Sequence, residues 1–411
     1  MPIVFNCVRP KIFGIYSSPC ELEDIFYFLR RTVAAPLGGN PHIPKQILQV
    51  SSSFGINHYS LMKQKIKIVI LGASGYTGVE LIRLLLSHKK SEIKELIADS
   101  NAGKEISEIY PHLLPFTLPA LKKIEEVDFS EIDLAFCCLP HTTSQSVIKS
   151  LLENKNYPHL KIIDLSADFR LENPDDYKKW YEHSHIAPEL QSQAVYGLCE
   201  LNRTKIKKAK LIANPGCYPT SALLPLLPLV ENNLIETSSI IIDSKSATSG
   251  AGRSLKLENL YCEVNESMRA YGIATHRHTG EIEQELSKKA DQKLLVSFTP
   301  HLVPMNRGII STIYVNLKND FTADDLKNCL TTKYQDEYFV NISSIHPSTR
   351  DVVGSNFCHI AVFASRLPNQ AIIVCVIDNL IKGASGGAIQ NMNIMFGFDE
   401  KEGLEFLPIV P

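Results

Sequence analysis

The chain has 411 residues, 44% of them hydrophobic and 21% charged, which is enough for two domains with their own buried cores. Its 42 Lys and Arg against 44 Asp and Glu leave a net charge of -2, so electrostatics draw it neither to nucleic acid nor to an anionic membrane. The longest apolar stretch, ALLPLLPLV, is broken by prolines and far short of the ~20 residues a transmembrane helix needs. The 10 cysteines show no C-x-x-C spacing, which argues against a disulfide scaffold or a zinc site and for a reducing, cytoplasmic setting.

Residues 1–64 carry Pro10, Pro19, Pro36, Pro41 and Pro44 and end in the Ser-rich QVSSSFG. The acidic ELED suits neither a transit peptide nor a secretory signal, so this stretch is expected to be a disordered tail or an artefact of the start site ahead of Met62. From Lys65 onward, β-branched runs alternate with helical ones: IKIVILG, VELIRLLLSH, IKELIAD, IDLAFCCLP, SQSVIKSLLEN, LKIIDLSA. That alternation predicts α/β architecture, a doubly wound parallel sheet of Rossmann type over residues 65–214. Longer strand-like runs follow Cys217, predicting a second domain built on a mixed sheet over residues 215–375. The last segment, 376–411, contains DNLIKGASGGAIQNMNIMFGF and predicts an amphipathic helix returning to the first domain.

GASGYTG, residues 72–78, lies directly after a strand and before a helix, where a dinucleotide pyrophosphate meets helix N-terminal amides and glycines permit a tight turn. Asp99, about twenty residues on, has the place of an NAD ribose ligand. Ser100, Asn101 and Lys104 follow at once and suit a 2'-phosphate, so the residues alone leave NAD and NADP both open.

In NPGCYPT, Cys217 follows a Pro-Gly turn and opens an apolar helix, where dipole and free amides favour a thiolate nucleophile and an oxyanion. THRHTGEIEQ supplies His276 and His278, which share a side in an extended segment, as acid-base partners for the thiol. No third ligand has metal spacing, so no metal site is expected. SATSGAGRSLK forms a glycine-rich loop in which Arg253 is available to fork onto a phosphate or carboxylate.

GASGYTG, AGK, DLSADFR, YGLCE, NPGCYPT, SATSGAGR, HRHTGEI, TPHLVPMNRGI and DNLIKGA, in this order over residues 65–397, together resemble the N-acetyl-gamma-glutamyl-phosphate reductases of arginine biosynthesis. The resemblance implies a catalytic domain like that of glyceraldehyde-3-phosphate dehydrogenase, NADPH as hydride donor, a thioester intermediate and a homo-oligomer. Carried over by motif, Cys217 is the nucleophile, His278 the acid-base residue, and His276 and Arg253 substrate ligands. The cofactor site maps onto Gly72, Ser74, Gly75, Tyr76, Thr77 and Gly78, with Ser100, Lys104, Pro140, Ser249, Gly250 and Asn379. Two positions depart from many members: Gly280 replaces a proline, and Asp99-Ser100 replaces a Ser-Arg pair, which weakens the case for NADP. Other acyl phosphates (N-acetylaminoadipyl, aspartyl), a cysteine hydrolase and a non-catalytic dinucleotide sensor remain the alternatives.

Overall fold

A computed structural model describes residues 65–410, and the expectations for residues 1–64 lie outside the described residues. Strands β1 (Ile66–Leu71), β2 (Ser91–Ile97), β3 (Leu121–Lys122), β4 (Leu134–Cys137), β5 (Lys161–Asp164), β6 (Val195–Tyr196) and β7 (Leu211–Ala213) form one sheet in the order β3-β2-β1-β4-β5-β7-β6. Every pairing in it is parallel. Helices α1 (Tyr76–Leu85), α2 (Thr143–Glu153), α3 (Pro174–Tyr181) and α4 (Cys199–Ile206) cross between its strands. The strand order reverses beside β1 and β4, so their carboxyl ends open the crevice where doubly wound sheets bind ligands.

The second sheet is mixed, as expected: β12-β13-β14-β11-β8-β10-β9, built from β8 (Ile241–Ala247), β9 (Arg269–Ala270), β10 (Ser297–Val303), β11 (Ile309–Asn316), β12 (Val340–Ser343), β13 (Cys358–Ala364) and β14 (Gln370–Ile377). Its β8–β10 and β12–β13 pairs are parallel and its other pairs antiparallel. Helices α5 (Cys217–Glu231), α6 (His278–Ala290) and α7 (Ala323–Tyr334) pack with it.

Helix α5 is the core of this half and an unusual one, since Pro225 and Pro228 lie inside it. Each interior proline removes a hydrogen bond and crowds the preceding turn at about 3 kcal/mol. Leu223, Leu224, Leu226, Leu227 and Leu229 are all at most 3% exposed. At about 2 kcal/mol for each buried leucine, packing outweighs the two prolines. Burial on every side, not helix propensity, holds the helix that presents Cys217.

The C-terminal helix α8 (Gly386–Phe396) packs on the first sheet, where Ile389 and Met392 join Ile66 and Ile163 in one core. It is not amphipathic. Its polar residues Gln390, Asn391 and Asn393 are also buried and hydrogen-bonded, as Asn391 Nδ2 is to the Gly197 carbonyl at 2.8 Å, although Asn391 Oδ1 finds no partner among the described residues. One turn of π-helix, Ile381–Ser385, precedes it and reaches both halves of the site.

Candidate active site

The glycine turn follows β1 with Gly72 at φ +84°, a left-handed backbone that favours glycine. A Cβ there would stand 2.5 Å from the carbonyl oxygen of Cys138 after β4, and one on Gly78 equally close to the Gly72 carbonyl. Bare backbone is therefore what lets the two loops of the crevice close together. Gly75 caps α1 without a side-chain hydrogen bond, leaving the amides of Tyr76, Thr77 and Gly78 at a helix start beside that crevice. The cradle fits a dinucleotide pyrophosphate.

At the end of β2, residues that the sequence left ambiguous are joined. Asn101 Nδ2 reaches Ser74 Oγ at 3.5 Å and Ser100 Oγ at 3.3 Å, and Lys104 Nζ donates to Asn101 Oδ1 at 3.4 Å. Asp99 is exposed and has no side-chain partner among the described residues. Hydroxyls, an amide and an ammonium group gathered beside the glycine turn have the chemistry of a 2'-phosphate site.

The expected cofactor residues of the second half also meet. Asn379 donates through Nδ2 to Ser249 Oγ at 2.9 Å and accepts the Gly308 amide at 2.8 Å, and the bare Cα of Gly250 lies against Ser246 Oγ. Pro140 is exposed on the loop after β4. Two residues on, Thr142 is held at φ 72° by its amide's bonds to the Asp168 carboxylate at 3.0 and 2.9 Å. Ser385 Oγ donates to the Thr77 carbonyl at 2.9 Å, tying the π-turn to the cofactor helix.

Arg253 differs from its expected place. Its Nη1 donates to the Ser74 carbonyl at 3.2 Å and its guanidinium lies 5.0 Å from the centre of the Tyr110 ring, because the loop after β8 folds back over the glycine turn. The guanidinium that acts on the Cys217 thiol is that of Arg170.

Cys217 is the first residue of α5, with Gly216 as its N-cap. Burial pushes its thiol up to about 11, against the pull of Arg170 and of the Tyr218 and Cys217 amides. The helix start that predicts a thiolate is thus outweighed by desolvation, and the thiol rests protonated. It needs a base. His278 is the first residue of α6, and a Cβ on Gly216 would stand 2.7 Å from His278 Nε2 and 2.8 Å from Arg170 Nη1. Burial, then His276 and Arg170, holds His278 well below the ordinary histidine range, so the imidazole is neutral with a free lone pair, and a thiolate forming beside it would raise its basicity. Its Nδ1 is sealed from solvent without a partner.

His276 and His278 do meet, their rings 4.9 Å apart and edge-on. The segment is a turn running into a helix, not a strand, and His276 Nδ1 accepts the His278 amide at 3.2 Å. Tyr218, Tyr271 and Phe298 enclose His276, whose pKa burial lowers to about 4. A Cβ on Gly280 would collide with the indole of Trp180, the single tryptophan of the chain, so glycine at this position lets that ring lie on the first turn of α6.

Two residues not singled out from the sequence fix this geometry. Glu281 accepts the Gly216 amide at 2.8 Å and the Tyr196 hydroxyl at 2.7 Å, and lies 3.3 Å from Arg170. Arg170 donates to the carbonyls of Asn214 at 2.8 Å and Leu165 at 3.0 Å. The signal was present: Arg170 closes DLSADFR and Glu281 stands one helical turn after His278. Among the described residues no group of His, Cys, Asp and Glu has the arrangement of a metal site.

A parallel dinucleotide-type sheet, a mixed sheet and a half-buried thiol at a helix start define a semialdehyde dehydrogenase. Residues 67–209 match the model for the semialdehyde dehydrogenase NAD binding domain, and residues 217–379 match the model for the dimerisation domain. The chain belongs, within that class, to the N-acetyl-gamma-glutamyl-phosphate reductase family. It is 51% identical over 85% of its length to the probable chloroplastic N-acetyl-gamma-glutamyl-phosphate reductase of Oryza sativa subsp. japonica, covering 83% of that protein. It is also 51% identical to the N-acetyl-gamma-glutamyl-phosphate reductase of Rhodospirillum rubrum, over 85% of this chain and 100% of that one. The fold is shared with aspartate semialdehyde dehydrogenase II of Vibrio cholerae, with a TM-score of 0.62, 16% identity, and 82% of this chain and 99% of the other covered. The enzyme of Candida albicans crystallised with NADP gives 0.58, 20%, 81% and 99%.

Proposed function

We propose that the protein catalyses the NADPH-dependent reduction of N-acetyl-L-glutamyl 5-phosphate to N-acetyl-L-glutamate 5-semialdehyde and phosphate, in arginine biosynthesis. The observation that carries the chemistry is the approach of a neutral His278 to the turn that presents Cys217, beside the loops of a dinucleotide crevice. Family membership supports the substrate.

His278 Nε2 takes the Cys217 proton as sulfur attacks the acyl carbon; the C–S bond forms, the bond to the phosphate oxygen breaks, and phosphate leaves. When bound, NADPH supplies the hydride that reduces the resulting thioester. The oxyanion that results re-forms the C=O bond as the C–S bond breaks, His278 returns its proton to the departing Cys217 sulfur, and aldehyde is released. Helix-start amides at Cys217 and Tyr218 face the oxyanion of each addition. His276 lines the substrate side of His278.

The cofactor is held by the turn from Gly72 to Gly78 through Ser74, Gly75, Tyr76 and Thr77, with Ser249, Gly250, Asn379 and Pro140 on the nicotinamide side. Ser100 and Lys104, with Asn101 between them, favour NADP over NAD. Arg253 supports the glycine turn instead of the substrate. Residues 65–214 thus serve cofactor binding, 215–375 catalysis and assembly into a homo-oligomer, and 376–411 closure of the site, in a cytoplasmic enzyme.

The test is the reverse reaction: NADP reduction with N-acetylglutamate semialdehyde and phosphate, compared with the aminoadipate and aspartate semialdehydes. Preference for the glutamate compound with NADP supports the assignment; preference for another aldehyde, or for NAD, replaces the substrate or the cofactor.

A further inference from the structure

His141, on the loop after β4, accepts the Ala167 amide at Nδ1 over 3.0 Å. That bond places the proton of the neutral ring on Nε2, which has no partner among the described residues. The ring lies 5.7 Å from that of Tyr181, the last residue of α3. Tyr181 is only 9% exposed and stacks on Tyr177 at 4.8 Å, yet its hydroxyl makes no hydrogen bond among the described residues. On the Tyr181 ring also rests the guanidinium of Arg277, 5.6 Å from its centre.

Arg277 directly precedes His278, so these three groups adjoin the Cys217–His278 pair. All three can donate: His141 through Nε2, Tyr181 through its hydroxyl and Arg277 through its guanidinium. The nearby carboxylates are already engaged: Asp168 accepts from the Tyr177 hydroxyl at 2.6 Å and from Thr142, and Glu281 from Gly216, Tyr196 and Arg170. The Tyr181 hydroxyl and the His141 Nε2 proton are thus free to bond a ligand that brings an acceptor.

We propose that His141, Tyr181 and Arg277 form a donor-rich subsite that holds an anionic oxygen group of the substrate, either the phosphate that leaves or the α-carboxylate. Burial, with the Arg277 and Arg170 charges, lowers the His141 pKa to about 3, which keeps the ring in this neutral donor form across the working pH range. The inference rests on the acyl-phosphate reading above.

The experiment varies phosphate and N-acetylglutamate semialdehyde separately in the reverse reaction for His141→Asn, His141→Gln and Tyr181→Phe. Asparagine keeps an acceptor for the Ala167 amide but loses the distal donor, whereas glutamine retains one. The expected result is a rise of about tenfold or more in one KM for His141→Asn and Tyr181→Phe, with kcat within about threefold and recovery in His141→Gln. A rise confined to phosphate assigns the subsite to the leaving group; one confined to the semialdehyde assigns it to the carboxylate. Unchanged KM values for both, or a lowered kcat and thermal midpoint with normal KM, overturn the subsite while leaving the reaction intact. A wild-type protein without phosphate-dependent NADP reduction overturns the acyl-phosphate reading first, and the subsite with it.

Discussion

Gly383 presses so closely on Cys217 that a Cβ in its place would stand 2.7 Å from the Cys217 Cβ. The π-turn that contains Gly383 also bonds to the cofactor helix through Ser385, so one short segment touches nucleophile and cofactor turn together. Gly383→Ala is expected to displace one or the other and to lower kcat by more than about tenfold. NADP affinity, measured by fluorescence titration, should change far less. Normal turnover in this variant would show that the contact has slack.

Arg170 and Glu281 make up a buried pair whose free bonding positions are spent on the turn before Cys217. Removing one partner leaves the other charged and buried, which costs about 3–5 kcal/mol. Arg170→Ala should therefore lower the thermal midpoint and kcat together. Glu281→Gln, which can still accept the Gly216 amide, should retain more activity than Glu281→Ala.

The Cys217 thiol, raised to about 11 by burial, dictates a pH dependence. An acid that loses its proton only near that value exposes more thiolate with every step upward, so alkylation by iodoacetamide should accelerate about tenfold per pH unit up to it. No plateau is expected between pH 7 and 9, within about the ordinary thiol range. Mass spectrometry of the modified cysteine reads the rate directly. A plateau near neutrality would mean that the Arg170 charge and the helix start prevail over burial after all.

Gly72 combines a left-handed backbone with close approach to the Cys138 carbonyl. Gly72→Ala is expected to weaken NADP binding by about tenfold or more while leaving Cys217 alkylation unchanged. Loss of both together would indicate wider unfolding, which circular dichroism would report.

Much of this could be read from the residues. Strand-helix alternation from Lys65 onward conveys the parallel sheet, because burial on both faces forces continuous apolar runs. The glycine turn and Cys217 were legible because each needs a particular residue at a particular place in a strand-turn-helix unit. What escaped reading depends on distance in the chain. Arg170 and Glu281 lie 111 residues apart, and nothing local in either motif announces that they meet. The desolvation of the thiol likewise comes from Gly383 and the second sheet, and it opposes the helix-start effect that the local sequence conveys. Arg253 was misplaced for the same reason, since only the path of its loop decides which half of the site it serves. The π-turn before α8 resembles plain helix in sequence, and its polar residues suggested a solvent face that tertiary contacts bury.

The most direct test of the account compares wild-type protein with Cys217→Ala in phosphate-dependent NADP reduction by N-acetylglutamate semialdehyde. Turnover in the wild type, and a fall of at least about a thousandfold in a variant that still binds NADP, is the predicted result. Turnover within about tenfold of wild type in Cys217→Ala would contradict covalent catalysis by this thiol.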